Sequence, residues 1–153
     1  MDLSIYQKEI ISHYKSNAQI ARILTEGWMS NNMFCPNCLN LKITPFPNNN
    51  PVADFFCPRC KEQFQLKSQK TDFGKKINDG AYKVMIESIT NNLRPNFFLT
   101  QYKIDYLIKN LFLIPSFFFT IDLIEKRKSL SESAERAGWT GCNILIIVTE
   151  LNN

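Results

Sequence analysis

Long apolar runs, glycine and clustered charge are all scarce in this chain, and each scarcity removes a class of protein. The longest apolar stretch, Leu111 to Ile124, is broken by Pro115, Ser116 and Asp122 and is too short to cross a bilayer. The N-terminus opens with Asp2 and a mixed amphipathic pattern rather than an export segment, so a soluble, cytoplasmic protein without membrane attachment is expected. Only 5 glycines occur among 153 residues, and neither a phosphate-cradling P-loop nor a dinucleotide fingerprint is present. No internal repeat is found. The net charge of +4 comes without a polybasic tail, so it permits a nucleic-acid partner without demanding one.

What is present suits one core. A 44% hydrophobic chain of this length, with 12 phenylalanines, predicts a single domain over residues 1–153. Five cysteines is an odd count, and with no export signal a disulfide framework is not expected. Four of them explain one another. Cys35-x2-Cys38, eighteen residues, then Cys57-x2-Cys60 has the spacing of a tetrahedral four-thiolate zinc site, with Pro36 and Pro58 restricting each turn. Iron–sulfur or redox chemistry would use the same thiols, but the finger-like arrangement over 33–62 favours structural zinc, which contributes folding energy. Cys142 is left over as a small core residue.

Along the chain, Leu3 to Tyr14 carries a loose helical pattern. A clearer helix, about 17–29, follows Ser16 and Gln19 in capping-box spacing and bears Ile20, Ile23, Leu24 and Trp28 on one face. Residues 31–51 are rich in Asn and Pro and predict irregular structure. Val52–Phe56 and Gln63–Ser68 read as two strands, with the Cys57–Cys60 knuckle in place of the hairpin turn. On the second strand Phe64 and Leu66 face one way, while Gln63, Gln65 and Lys67 face the other. Asn78 and Asp79 are candidate caps of a helix carrying Tyr82, Met85, Ile86 and Ile89. Further strands are expected at Phe97–Tyr102, Tyr106–Ile114 and Ile144–Val148, and a short helix capped by Thr120 over 121–127.

Asp54, ten residues, Gln65, one residue and Lys67 form a constellation of metal-dependent phosphodiester cleavage. A hard cation such as Mg2+ takes oxygen ligands, here the Asp54 carboxylate, the Gln65 amide oxygen and the Leu66 backbone carbonyl. Lys67 would orient the attacking water and stabilise developing charge. Alone the pattern is weak, because an exposed strand face bearing one Gln and one Lys matches it by chance. Glu26, off the main apolar stripe, reads either as a solvated charge or as an auxiliary acid leaning over the metal site.

Ordered blocks strengthen the reading. They are Tyr14-Lys15-Ser16-Asn17, Ala21 to Glu26, Cys35 to Cys38, Pro51-Val52-Ala53-Asp54-Phe55, Phe64 to Ser68, Ile77 to Tyr82, Pro95 to Phe98 and Arg136 to Ile144. Together, from about residue 14 to 145, the chain resembles the DpnI / Dam-replacing family of restriction endonucleases. The resemblance implies an α/β fold: a PD-(D/E)xK restriction-endonuclease-like core, a central mixed sheet flanked by helices, with an embedded four-cysteine zinc finger. It also implies Mg2+-dependent cleavage of double-stranded DNA at GATC, methyl-directed through N6-methyladenine. Asp54, Gln65 and Lys67 match the catalytic positions, and Cys35, Cys38, Cys57 and Cys60 the zinc positions.

The chain departs from the family twice. The middle catalytic position is usually an acid, and the amide of Gln65 keeps an oxygen ligand but removes one negative charge, so weaker cation binding is expected. Glu26 or Glu62 could supply a carboxylate, although Glu62 has the wrong strand parity. Larger relatives append a C-terminal winged-helix domain that this chain, ending at Asn153, is expected to lack. A truncated remnant or a non-cleaving zinc-containing DNA-binding module is therefore the alternative, and a zinc-ribbon interaction protein with an accidental triad the third reading. Lys70, Lys75 and Lys76 after the catalytic strand and Lys126, Arg127 and Lys128 are candidate phosphate contacts, although any single one reads more readily as part of a solvated charged face. Trp139 reads as a base contact or a core wedge. A monomer is expected.

Overall fold

In the computed structural model, which describes residues 2–47 and 50–146, the elements run α1 (Lys8–His13), α2 (Asn17–Asn32), β1 (Thr44–Pro45), β2 (Phe55–Phe56), β3 (Gln63–Gln69), β4 (Lys76–Ala81), α3 (Tyr82–Thr90), β5 (Asn96–Tyr102), β6 (Ile108–Ile114), β7 (Ile124–Lys126) and β8 (Gly141–Leu145). Ile147 and Val148, the end of the expected final strand, and Asn48 and Asn49 of the expected loop lie outside the described residues. The chain divides into two compact units. One comprises the chain to Asp72 with Pro95–Pro115, the other Phe73–Arg94 with the chain from Ser116 onward.

The first unit is built on a five-stranded mixed sheet in the order β1-β2-β3-β5-β6. Only β3 and β5 run parallel, and a parallel pair needs a long crossover. Here that crossover contains β4 and α3 of the second unit. The central position of β5 explains its sequence: all of Phe97 to Tyr102 is buried, as a strand covered on both faces requires. Phe64 and Phe98 are fully or almost fully buried and stack at 5.2 Å between ring centroids. Helix α2 begins as its capping residue dictates, with Ser16 Oγ accepting the Gln19 N–H at 3.4 Å. It buries Ile20, Leu24, Thr25, Trp28 and Met29. Two polar contacts then fix its position: Trp28 Nε1 donates to the Asp2 carbonyl at 2.8 Å, and Thr25 Oγ1 lies 3.1 Å from Ser68 Oγ on β3.

The second unit holds an antiparallel sheet, β4-β8-β7, with α3. Four expectations need correction here and in the first unit. Asn78 and Asp79 do not cap a helix; they lie in β4, opposite Asn143 and Cys142, and α3 starts after Ala81 with no side-chain cap. Strand pairing satisfies their backbone, and the Asp79 carboxylate instead meets Arg94 at 3.5 Å, both side chains under 10% exposed. Residues 121–127 form one 3-10 turn, Ile121–Leu123, and then strand β7, because Ile124 to Lys126 ladder onto β8. The stretch expected to be irregular contains β1, while the strand expected over Val52–Phe56 is reduced to Phe55–Phe56.

Truncating Phe64 would open a cavity beside Phe98 in the middle of the first unit. Phe64→Ala is expected to destabilise that unit by about 3–5 kcal/mol in urea melts followed through Trp28.

Candidate metal centre and acidic cleft

The two CxxC turns are built alike, and both read Phe-Cys-Pro-x-Cys, from Phe34 and from Phe56. Cys35 N–H donates to the Asn40 carbonyl and Leu39 N–H to the Cys35 carbonyl, both at 2.8 Å. In the second turn Cys57 N–H donates to Glu62 O at 2.8 Å and Lys61 N–H to Cys57 O at 2.9 Å. Closing each loop requires the residue after the second cysteine to enter the left-handed region, with φ of 59° at Leu39 and 65° at Lys61. That region costs a side chain free energy that glycine avoids. The return is convergence: the four sulfurs lie within 4.8 Å of one another, with Cys35 to Cys60 at 3.6 Å and Cys38 to Cys57 at 3.5 Å.

Sulfurs about 2.3 Å from a tetrahedral zinc would stand roughly 3.8 Å apart, so the set fits such an ion. Its electrostatics also favour thiolates on one side. Burial opposes ionisation of Cys57, but N–H groups of Cys60 and Arg59 outweigh it and bring the thiol down to about 6. Cys35, by contrast, is pushed up to about 12 by burial, against N–H donors from Cys38 and Asn37. A cation among the four would stabilise all the thiolates together. Asn37 Nδ2 adds a donor to Cys60 Sγ at 3.6 Å.

The second knuckle is also the turn between β2 and β3, so the thiolate cluster closes the hairpin that carries Asp54. Phe55 pairs with Phe64 and Phe56 with Gln63. One residue before β2, Asp54 N–H donates to Phe64 O at 2.9 Å, and its Oδ2 accepts the Leu66 N–H at 2.7 Å. The carboxylate thus occupies the edge of β3 where β2 has ended. Because N–H and C=O of one strand residue point to the same edge, the Leu66 carbonyl faces that side too. Gln65 and Lys67, half-buried, project to the face opposite Phe64 and Leu66. Both sit within one residue of the Leu66 amide that holds Asp54.

Asp54 opens onto a cavity of about 410 Å³ lined with Arg22, Glu26, Pro45, Phe46, Pro47, Asn50 and Ala53. Glu26 therefore stands on the wall of Asp54's cleft rather than on open surface. Burial raises its pKa, the Arg22 guanidinium 3.6 Å away lowers it, and the Asp54 charge raises it again. Gln65 and Lys67 are not among the lining residues. Glu62, with the wrong parity for this site, accepts from Asn96 Nδ2 at 2.8 Å.

The basic residues considered as DNA contacts differ in their surroundings. Lys70 Nζ lies over the Tyr102 and Tyr106 rings, 5.7 and 5.2 Å from their centroids. Lys75 is exposed. Lys76 is bound to Glu125 at 2.6 Å, which makes it the least available of them. Arg127 is exposed beside Gly141, and Lys126 Nζ lies 5.6 Å from the Tyr82 ring centroid. Trp139 is half-buried under the Arg136 guanidinium, and its ring edge fills the space a Cβ on Gly141 would need, at 2.8 Å. The left-handed residues Leu39 and Lys61 escaped the sequence reading because no glycine marks them, and the β1 wall of the cleft was hidden in the Asn/Pro-rich stretch.

Fold and site together define a mixed α/β protein that combines a cluster of four cysteines able to hold a metal ion with a cleft at a sheet edge that Asp54 and Glu26 line. The chain belongs to the Dam-replacing family, DpnI, whose family model matches residues 1–150. Membership points to a restriction-type nuclease acting on methylated DNA.

Two measurements test the metal centre. Protein purified with zinc is expected to carry one ion per chain, and Cys57→Ser to lose it, as read by metal analysis. Leu39→Gly should be neutral or slightly stabilising, whereas the β-branched Leu39→Val should cost about 1–2 kcal/mol in chemical denaturation.

Proposed function

We propose that this protein is a Mg2+-dependent endonuclease that cleaves double-stranded DNA at GATC when the adenine is N6-methylated. The observation that carries the reading is the Asp54 carboxylate held 2.7 Å from the Leu66 amide, between Gln65 and Lys67, the two residues this reading takes as catalytic. The donor set suits a hard cation: a carboxylate from Asp54, the amide oxygen of Gln65 and the carbonyl of Leu66 are all oxygens. When bound, the divalent cation supplies positive charge at the scissile phosphate and acidifies an attacking water.

The protein's own groups do the remainder. Asp54, fixed by hydrogen bonds to the backbone of Phe46, Phe64 and Leu66, positions the ligand set without reorganising. Lys67 presents an ammonium that orients the water and offsets the charge gathering on the phosphate oxygens. Gln65 contributes an oxygen but no charge. The thiolate centre, taken to hold structural Zn2+, closes the hairpin on which all three stand. The cations Lys70, Lys75 and Arg127 and the indole of Trp139 are candidates for the DNA interface, with Lys76 the weakest because Glu125 holds it.

A second reading has one specific feature in its favour. Gln65 lowers the negative charge at the cation site, which suits a zinc-containing module that binds this DNA and no longer cuts it.

Zinc-loaded protein incubated with Mg2+ and GATC duplexes, methylated and unmethylated, separates the two. Cleavage of the methylated duplex is expected, and Lys67→Ala should reduce its rate by a factor on the order of 100 or more while leaving DNA binding intact. No cleavage of either duplex contradicts the nuclease reading. Binding without cutting, with cutting restored by Gln65→Glu, is the outcome that would establish the second.

A further inference from the structure

A phosphodiester strand that reaches the cleft meets the carboxylates of Asp54 and Glu26, so a positive group must stand there to draw it in. Among the described residues that line the cleft, Arg22 is the one cation. Its place on α2 is fixed through its own backbone. Thr25 Oγ1, fully buried, lies 3.2 Å from the Arg22 carbonyl and 3.1 Å from Ser68 Oγ, so one hydroxyl ties this turn of the helix to β3. The opposite wall leaves little for an anion: Pro45 and Pro47 have no N–H, Phe46 N–H donates to the Asp54 carbonyl at 2.8 Å, and Asn50 Nδ2 donates to the Ala53 carbonyl at 2.7 Å.

The Arg22 side chain is only loosely held. It is about half exposed, and its Nε stands 3.6 Å from Glu26 Oε1, an ion pair too long to be a hydrogen bond. A solvent-screened pair one helical turn apart contributes little and is readily exchanged for a better anion. A guanidinium offers its N–H groups in a planar fork that matches a phosphate, which a lysine ammonium does not. Phosphates of one DNA strand follow at about 3.4 Å along the helix axis. A strand with one phosphate at Asp54 therefore brings its neighbour to the walls of this cleft, whose volume is about 410 Å³.

We infer that Arg22 binds the phosphate next to the one at Asp54 on the strand to be cut, exchanging its ion pair with Glu26 for that contact. The inference rests on the DNA reading above for the identity of the ligand. It differs from that reading in what it requires, because DNA binding can be measured without cleavage.

The zinc-loaded full chain, with no other divalent cation added, is titrated with a methylated GATC duplex by fluorescence anisotropy over a range of salt. Arg22→Gln should weaken binding about tenfold and reduce the slope of log affinity against log salt by about 0.9, the share of one phosphate, with zinc content and melting behaviour unchanged. Arg22→Lys should keep the slope, since counterion release counts charge. Duplexes with one neutral methylphosphonate at successive positions locate the contact: at one phosphate the substitution should weaken wild type and leave Arg22→Gln unaffected. An unchanged slope in Arg22→Gln overturns the inference, as does a methylphosphonate series that wild type and Arg22→Gln rank alike. Full affinity in Arg22→Gln/Glu26→Gln overturns it too, because Arg22 would then act only by neutralising Glu26. A wild-type chain that binds no duplex overturns the inference and the DNA reading together. Arg22-dependent binding at one phosphate in a protein that cuts nothing with Mg2+ upholds the inference and removes the nuclease reading alone. Cutting at full rate by Arg22→Gln, with the slope unchanged, does the reverse.

Discussion

The register of the hairpin from Asp54 to Lys67 is the constraint on which the rest depends. Its turn is no ordinary β-turn but a CxxC knuckle, and the knuckle's thiols meet those of a second knuckle 3.5–3.6 Å away. A one-residue slip in such a pairing would send Gln65 and Lys67 into the core and bring Phe64 out of it. The buried Phe64–Phe98 stack resists the slip from one end and the sulfur cluster from the other. Between them Asp54 is held against the strand edge by Phe64 O and Leu66 N–H. The carboxylate is thereby fixed by backbone geometry, which side-chain packing alone would do less well.

Strain and charge at the site follow from the same arrangement. Leu39 and Lys61 adopt the left-handed conformation so that each knuckle can close, a cost sustained because four sulfurs converge. Asp54 and Glu26 share a cleft although each would be better hydrated alone. The sulfur cluster could hold a metal ion, whose binding would offset the first of these costs.

Much of this was legible in the chain. The cysteine spacing anticipated the sulfur cluster, Ser16 and Gln19 marked the start of α2, and alternation along Phe64 to Lys67 gave the faces of β3. Other parts depended on partners distant in sequence. Asn78 and Asp79 look like helix caps locally, but pairing with β8 and the buried contact to Arg94 decide their conformation. Ile124 to Lys126 becomes a strand for the same reason. The place of Glu26 turned on Thr25, an unremarkable residue whose hydroxyl meets Ser68 more than forty positions later.

Hydrogen exchange of single backbone amides tests the central claim most directly. If the thiolate centre holds the hairpin in register, stripping the metal should speed exchange at the Cys57 and Leu66 amides together, while the amides of β8 in the other unit stay protected. Unchanged protection at Leu66 in the metal-free protein would contradict the account, because Asp54 would then be held against β3 without the sulfur cluster.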